Sequence, residues 1–193
     1  LLAKNLNAYI LNSGEIFRCI AYNLKKNEID INNITSVINH SKKFKFKKIV
    51  SKKLYTRDID IITSEISKIA SIRKITTKIQ RELVDLNTTE SGVVIAEGRD
   101  MGTVIFPRAE IKIFIWAKAE IRAKRRMLQI NKSLKTRKFE DILKEITERD
   151  MRDMSRKIAP LRPAADSYLI DNSNLDIEQC FNKILKIIKY TKH

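Results

Sequence analysis

A glycine-flanked Arg-Asp pair follows a predicted strand in the middle of the chain. The apolar run Val93–Ala96 stops at Glu97, and Gly98-Arg99-Asp100 comes next. The planar guanidinium of an arginine suits phosphate, whereas a carboxylate accepts hydrogen bonds from an amino group or a hydroxyl. The pair therefore fits a ligand that carries a phosphate as well as such donors. Taken alone, Gly-Arg-Asp is equally typical of an ordinary turn with an exposed ion pair.

A second group of charged residues falls within the segment ERDMRDMSR, residues 148–156. Arg149, Arg152 and Arg156 are three and four residues apart, so in a helix they share one face, and Asp153 lies one turn beyond Arg149. A third segment, AEIRAKRRM, carries Arg122, Arg125 and Arg126. Each segment alone is typical of a solvated helix. Together they are what a crevice for a phosphate-rich ligand needs, because the charge on a transferring phosphoryl group must be neutralised.

Short apolar runs alternate with helical periodicities, which predicts an α/β domain with a parallel sheet. Strands are predicted at about 8–11, 93–97, 111–116 and 167–171. Helices are predicted at 15–25, 58–84, 119–132 and 139–150, with the end of another at 1–7 and a last one opened by a capping box at 176–179. The alternating KFKFKKIV, residues 43–50, predicts an exposed strand. Ligands of parallel sheets bind at the carboxyl ends of strands, where Ser13 and the turn at Gly98 both lie.

Composition narrows the function class. The chain has 193 residues, 43% of them hydrophobic, which suits one domain with a small lid or insert. A net charge of +16 is most simply explained by a solvated, lysine-rich surface, and it also fits nucleic acid or a site for several phosphates. Only 7% of residues are aromatic, which disfavours base stacking on a nucleic-acid partner. The chain contains no run of 18 apolar residues, so no membrane-spanning segment is predicted. Cys19 and Cys180 have no metal-site spacing and are interpreted as reduced core residues of a cytosolic protein.

Four motifs resemble those of bacterial cytidylate kinases, which phosphorylate CMP and dCMP with ATP, and they follow one another along the chain as they do in that family. The segment NSGEIFR is similar to the family's D-[ST]-G-x-[IM]-[YF]-R, and EGRDMGTVIFP to its most specific signature. The helix SIRKITTKIQR resembles the family's VRxxLxxxQR, and ITERDMRDMSRKIAPLRPAAD resembles its lid and following segment. The resemblance covers nearly the whole chain.

The resemblance implies the architecture of a P-loop nucleoside-monophosphate kinase, with flanking helices on a parallel sheet in which strand 93–97 neighbours strand 8–11. The core would comprise residues 1–25 and 58–193, with a lid at about 119–158 and an abbreviated nucleotide-binding insert at 26–57. The donor would be ATP with Mg²⁺, and the acceptor CMP or dCMP. A cytoplasmic monomer with no nucleic-acid or membrane partner is expected.

The resemblance also implies roles for individual residues. The residues around the cytosine would be Ser13, Arg73 and Asp100, and Asp100 would accept a hydrogen bond from the exocyclic amine of the base. Those that hold the acceptor's phosphate would be Arg18, Arg99 and Arg156. Those that meet the sugar hydroxyls would be Arg149 and Asp153. Those of the lid, near the donor's phosphates, would be Arg122, Arg125 and Arg126. Arg99, Arg149 and Arg156 are the expected catalytic residues, and no side chain is expected to be a metal ligand.

The sequence departs from the family at its start. The family opens with a strand and a G-x-x-x-x-G-K-[GST] phosphate loop, whereas Leu1 matches a position within the helix that follows, and residues 1–193 contain no such motif. The expectation is a fragment or a truncated gene product, inactive alone, with an empty slot between strands 93–96 and 111–116. Asn12 replaces the usual Asp, and Tyr55 stands where an arginine is common. The alternatives are a kinase for UMP or AMP, an inactive remnant, and a basic nucleic-acid-binding module.

Overall fold

The computed structural model describes residues 1–47, 52–131 and 137–191, with only the backbone at 89–91 and 131. The chain divides into two compact units. The first unit is Ala3–Gly98, and the second combines Leu1–Leu2 with Arg99–His193. The domains predicted from the family resemblance stay a prediction, because this division follows packing within the chain rather than ligand-binding function. Among the described residues, no helix is both long and apolar enough to cross a membrane.

The first unit packs helices around one pair of strands. After the short helix α1 (Leu2–Asn5), its elements are β1 (Tyr9–Asn12), α2 (Ser13–Lys26), α3 (Ile34–Lys42), a 3₁₀ turn (Lys52–Tyr55), α4 (Arg57–Ile66), α5 (Ala70–Ser91) and β2 (Val94–Glu97). β1 pairs with β2 in parallel, from Tyr9 opposite Val94 to Asn12 opposite Glu97. The prediction that strand 93–97 neighbours strand 8–11 is therefore confirmed.

The core of the first unit forms around α2. Ile16, Ile20 and Leu24 repeat at intervals of four residues, and each is at most 1% exposed. Burying each such side chain contributes roughly 1.5–3 kcal/mol. The remaining core side chains come from the helices around α2 and include Val37, Leu54, Ile59, Ile66 and Ile72. This packing fixes α2, and with it the polar residues at the N-terminus of that helix.

The second unit contains the other strand pair and the remaining helices. Its elements are a π-helical turn (Met101–Ile105), β3 (Ile113–Trp116), α6 (Ala119–Asn131), α7 (Phe139–Ser155), β4 (Tyr168–Asp171) and α8 (Ile177–Thr191). β3 pairs with β4 in parallel, Ile113 opposite Tyr168. The predicted capping box is confirmed: the Asp176 carboxylate accepts from the Gln179 backbone N–H at 2.7 Å, and the Gln179 side-chain oxygen accepts from the Asp176 N–H at 3.1 Å. Cys19 and Cys180 are both buried, as expected of core residues.

The four strands predicted for the parallel sheet exist and pair in parallel, but they form two sheets of two strands rather than one sheet. In the described part of the chain, β2 pairs only with β1, and β3 pairs only with β4. Among the described residues, each strand therefore keeps one edge without a strand partner, the kind of edge that proteins usually protect.

The prediction of one helix over 58–84 is wrong. The helical region is broken at 67–69, where Ile69 adopts an extended backbone with φ −83° and ψ 116°. Ser67 turns its hydroxyl back to the Ser64 carbonyl at 2.9 Å, and Arg73 Nε donates to the Ser67 carbonyl at 2.7 Å. The isoleucine spacing continues across the break, so periodicity alone could not show that side chains cap the end of α4.

Residues 26–56 also differ from expectation. The exposed strand predicted at 43–50 is wrong for 43–47, which form no strand, and the rest of it lies outside the described residues. α3 was not predicted, although Asn33 caps it by accepting from the Ser36 N–H at 3.0 Å, and Val37 is fully buried. An alternating pattern needs a neighbouring strand to become a sheet, whereas α3 needs only its cap and one buried face. α7 extends five residues beyond its predicted end at 150, to Ser155.

Candidate functional site

Polar side chains meet at the carboxyl ends of β1 and β2. The Asn12 side-chain carbonyl accepts from the Glu15 backbone N–H at 3.1 Å and so caps α2. Its amide nitrogen donates to the Glu97 carboxylate at 2.5 Å. Because Asn12 is opposite Glu97 in the strand register, an aspartate at this position would place two carboxylates side by side. The amide instead joins the two strand ends by a hydrogen bond.

Ser13 and Arg73 are both buried where α2 faces α5. Ser13 is 6% exposed, and its hydroxyl accepts from Gln80 Nε2 at 2.8 Å. Arg73 is 9% exposed, and its guanidinium lies over the Phe17 ring at 5.8 Å from the centroid. These two residues, expected around a nucleobase, therefore lie along one helix pair.

Arg18 lies further along α2 and has three neighbours. Its Nη1 donates to the Leu54 carbonyl at 2.8 Å, and its guanidinium forms an ion pair with Asp60. The guanidinium also stacks over the ring of Tyr55, 4.9 Å from the centroid. Since 22% of the Arg18 side chain is exposed, this cation is open to solvent and to an anionic ligand.

In the second unit, one carboxylate gathers three arginines. Asp153 lies on α7 with its side chain 17% exposed. Its oxygens face Arg99 Nε at 3.2 Å, Arg156 Nη1 at 3.4 Å and Arg149 Nε at 3.9 Å. These four side chains carry three positive charges and one negative, a net charge of +2. The cluster therefore has positive charge in excess, on guanidinium groups that face a shared carboxylate.

A strained turn fixes the far side of this cluster. Arg156 ends α7, and its Nε donates to the Ala159 carbonyl at 2.5 Å. Ala159 has φ +51°, a left-handed conformation that is uncommon for residues other than glycine. The Leu161 N–H donates to the Asp153 carbonyl at 2.7 Å, so the chain after α7 folds back onto the helix end.

Asp100 leads directly into the π-helical turn. It is 6% exposed, and its backbone carbonyl accepts from the N–H groups of Val104 at 2.9 Å and Ile105 at 3.2 Å. Such widened turns are rare and occur frequently at functional sites. The turn at Gly98 forms without a positive φ: among the described glycines only Gly92 has one, of 72°.

The three arginines of α6 have different surroundings. Arg122 forms a two-pronged contact with the Asp150 carboxylate, its Nη1 at 3.0 Å, and also donates to the Ala117 carbonyl at 2.9 Å. Arg125 donates to the side chain and the backbone of Asn172, both at 2.8 Å. Arg126 is exposed near Gln129. Arg126 therefore reaches solvent, whereas Arg122 and Arg125 already bind neighbouring segments.

The structure thus brings together Arg99, Arg149, Asp153 and Arg156 in the second unit, which also holds Asp100 and the α6 arginines. Ser13, Arg18 and Arg73 belong to the first unit. From the sequence, no role was assigned to Gln80, Asp60 or Asp150. The signal for Gln80 was its position in the QR motif, whereas nothing local marked Asp60 as the partner of Arg18.

Comparisons with known proteins agree on one family. The cytidylate kinase family model matches residues 1–190. Cytidylate kinase of Mycoplasmopsis synoviae (strain 53) is 37% identical over 201 residues, covering 98% of this chain and 90% of the relative. Cytidylate kinase of Thermosipho melanesiensis is 34% identical, covering 98% and 88%, and that of Clostridium botulinum (strain Langeland) is 37% identical, covering 98% and 89%. With this match over nearly its whole length, the chain belongs to the cytidylate kinase family.

Proposed function

We propose that this protein transfers the γ-phosphoryl group of ATP to CMP or dCMP. An oxygen of the acceptor's phosphate forms the new bond to the γ-phosphorus, and the bond from that phosphorus to the β–γ bridging oxygen breaks. The products are ADP with CDP or dCDP. Little covalent chemistry is asked of the protein, so its residues act by positioning the two phosphates and neutralising charge.

The observation that carries this proposal is the arginine cluster around Asp153. An acceptor phosphate is an anion, and forked guanidinium donors match its oxygens. Arg99 and Arg156 would hold it, while Arg149 and Asp153 would meet the sugar hydroxyls. Asp153 would hold the guanidiniums close together and oriented, since like charges brought together without a carboxylate repel one another. Arg18 would supply a further cation to the same phosphate.

The remaining residues assigned to the acceptor nucleotide would recognise its base. Asp100 would accept from the exocyclic amine of cytosine, with Ser13 and Arg73 also around the ring. A buried carboxylate that meets a carbonyl oxygen, as uracil presents, is left without a donor, so UMP would be rejected. This assignment rests on the motif match and on the burial of Asp100 and Arg73.

The donor would be ATP with Mg²⁺, near the lid arginines Arg122, Arg125 and Arg126. In the described residues, no three side chains of His, Cys, Asp or Glu lie close enough to hold a metal ion of their own. The Mg²⁺ ion would arrive on the ATP phosphates, because Mg²⁺ is usually bound with substrate phosphates and keeps several waters. When bound, Mg²⁺ would neutralise charge on the β- and γ-phosphates. We further propose that the protein works as a cytoplasmic monomer.

The test compares two variants by calorimetric binding of CMP and UMP. Asp100→Ala should weaken the binding of CMP but not that of UMP. Arg99→Ala should weaken the binding of both nucleotides, because both carry the phosphate. Losing a charge-assisted partner should cost roughly 1.5–3 kcal/mol. Equal losses for CMP and UMP on changing Asp100 would show that it does not read the base. Binding of single-stranded DNA at two salt concentrations, stronger than binding of CMP, would favour a nucleic-acid-binding module instead.

A further inference from the structure

One face of α5 is polar where an apolar face is expected. Arg73, Thr76 and Gln80 follow one another at spacings of three and four residues, so they lie on the same side of the helix. They are 9%, 1% and 1% exposed. Arg73 and Gln80 each contact α2, through Phe17 and Ser13 respectively. A buried polar row of this kind is costly unless its groups are hydrogen-bonded.

In the described part of the chain, only one of the two polar atoms of the Gln80 side-chain amide has a hydrogen-bond partner. Its Nε2 donates to the Ser13 hydroxyl at 2.8 Å. Its Oε1 is buried and has no hydrogen-bond partner within the described residues. Thr76 differs, because its hydroxyl donates to the Arg73 carbonyl of its own helix at 2.9 Å. Buried side-chain acceptors without a donor are uncommon in native proteins and call for a specific explanation, such as a bound molecule.

The contact with Gln80 also determines what Ser13 can do. A hydroxyl has one hydrogen and two lone pairs. Because the Ser13 oxygen accepts from Gln80, its hydrogen remains free to be donated elsewhere. Gln80 therefore makes Ser13 a donor and itself supplies an acceptor close by. This pairing suits a planar ring that carries an acceptor next to an N–H.

We propose that Gln80 is part of the subsite for the acceptor's base: it holds the Ser13 hydroxyl as a donor, and its Oε1 accepts a hydrogen bond from an N–H of the nucleobase. This inference rests on the proposed function, because it takes CMP as the ligand. Gln80 would act on the base alone, since its amide carries no charge for the phosphate.

The experiment measures binding of CMP and of ribose 5-phosphate, which lacks the base, by calorimetry. Gln80→Met keeps the side-chain volume but removes both hydrogen bonds. It should therefore weaken the binding of CMP by about tenfold or more and leave the affinity for ribose 5-phosphate unchanged. Gln80→Glu is nearly isosteric but cannot donate to Ser13, and it should weaken CMP as well. Thr76→Val is the matched control, equally buried on the same face, and should leave both affinities unchanged.

A double-mutant cycle with Ser13→Ala separates the two parts of the proposal. If Gln80 acts partly through Ser13, the losses from Ser13→Ala and Gln80→Met should be less than additive. Equal loss of both ligands in the Gln80 variants would indicate general damage to the unit and overturn the proposal. Unchanged CMP affinity in those variants, with binding by the unaltered protein, would also overturn it. If the unaltered protein does not bind CMP, the proposed function itself fails.

Discussion

Arg18 illustrates how a single ion pair competes with a ligand. Its guanidinium is paired with Asp60, whose side chain is 53% exposed. A phosphate that binds Arg18 must share that cation with the Asp60 carboxylate. Exposed ion pairs are worth about 0.2–1 kcal/mol, so we predict that Asp60→Asn tightens CMP binding by about two- to fivefold, measured by calorimetry at low salt.

Asp58 provides the control on the same helix. It forms its ion pair with Lys25, and the hydrogen bond from that lysine lowers the pKa of Asp58. Asp58→Asn makes the same change of charge without touching Arg18, so CMP affinity should stay close to that of the unaltered protein. Weaker binding in Asp60→Asn would contradict the prediction and show that Asp60 positions Arg18 for the ligand.

For single residues, the sequence could predict which side chains lie together when those residues are close along the chain. The spacing of Arg149, Asp153 and Arg156 indicated one group, and the structure gathers them as expected. The approach of Arg99 to Asp153 joins residues far apart in sequence, so their spacing could not predict this contact; only the charge of the two segments and the family motifs suggested a shared site. The Gln80–Ser13 and Asp60–Arg18 contacts were not predictable, because they depend on how α2 packs against α4 and α5.

At the scale of elements, a buried lysine ties the turn after Asp100 to the start of β4. Lys112 has its side chain 7% exposed, and its Nζ donates to the Asp166 carboxylate and to the Pro107 carbonyl, both at 2.5 Å. The lysine stem also packs on the π-helical turn, where a Cβ at Gly102 would lie 3.2 Å from Lys112 Cδ. Its backbone carbonyl accepts from the Tyr168 N–H at 2.8 Å.

This contact predicts a dependence of stability on pH. The hydrogen bond from Lys112 lowers the pKa of Asp166. A carboxyl with a lower pKa in the folded protein stabilises the fold above its unfolded pKa, and that contribution is lost as pH falls through the folded value. The unaltered protein should therefore lose more stability between about pH 5 and pH 3 than Asp166→Asn does.

Fluorescence of Trp116 measures this effect directly, because it is the only tryptophan of the chain and lies on β3. Urea unfolding is followed at several pH values. In a Lys112→Met background, Asp166→Asn should have no further effect on the acid dependence. An identical loss of stability with falling pH in the unaltered protein and in Asp166→Asn would show that the ion pair is not formed in solution.

Elements were predictable where a local pattern defines them. Apolar runs located all four strands, and the Asp176 capping box located the start of α8. The break between α4 and α5 was not predictable, since it depends on a hydrogen bond from Arg73 to the Ser67 carbonyl. The number of sheets was not predictable either, because strand pairing is decided by contacts between distant segments.

At the scale of the whole molecule, the residues proposed to bind the acceptor are divided between the two units. Ser13, Arg18 and Arg73 lie in Ala3–Gly98, and the Asp153 cluster lies in the unit that begins again at Arg99. The boundary therefore falls within the motif EGRDMGT, between Gly98 and Arg99. A motif shows which residues belong together in sequence, whereas a boundary of this kind emerges only from packing.

Turnover of CMP also needs a site for the donor's phosphates. Residues 1–193 contain no G-x-x-x-x-G-K-[GST] sequence, whose backbone N–H groups and lysine cradle the donor phosphates in kinases of this class. We predict that a polypeptide of residues 1–193 alone binds CMP but shows no measurable turnover of it. Removing one preorganised donor from a charge-stabilising site can cost about 10²–10³-fold in rate, and a whole loop supplies several such donors.

The comparison is with a fusion that places the first strand, phosphate loop and helix start of a cytidylate kinase before Leu1. CMP affinity should be similar in both proteins, because Arg18, Arg99 and Arg156 are common to them, while turnover with ATP should appear only in the fusion. We do not expect the arginines of α6 to fix the β- and γ-phosphates in line by themselves, since Arg122 and Arg125 already bind Asp150 and Asn172. Turnover by residues 1–193 within about tenfold of the fusion would mean that other residues of this chain build the donor site.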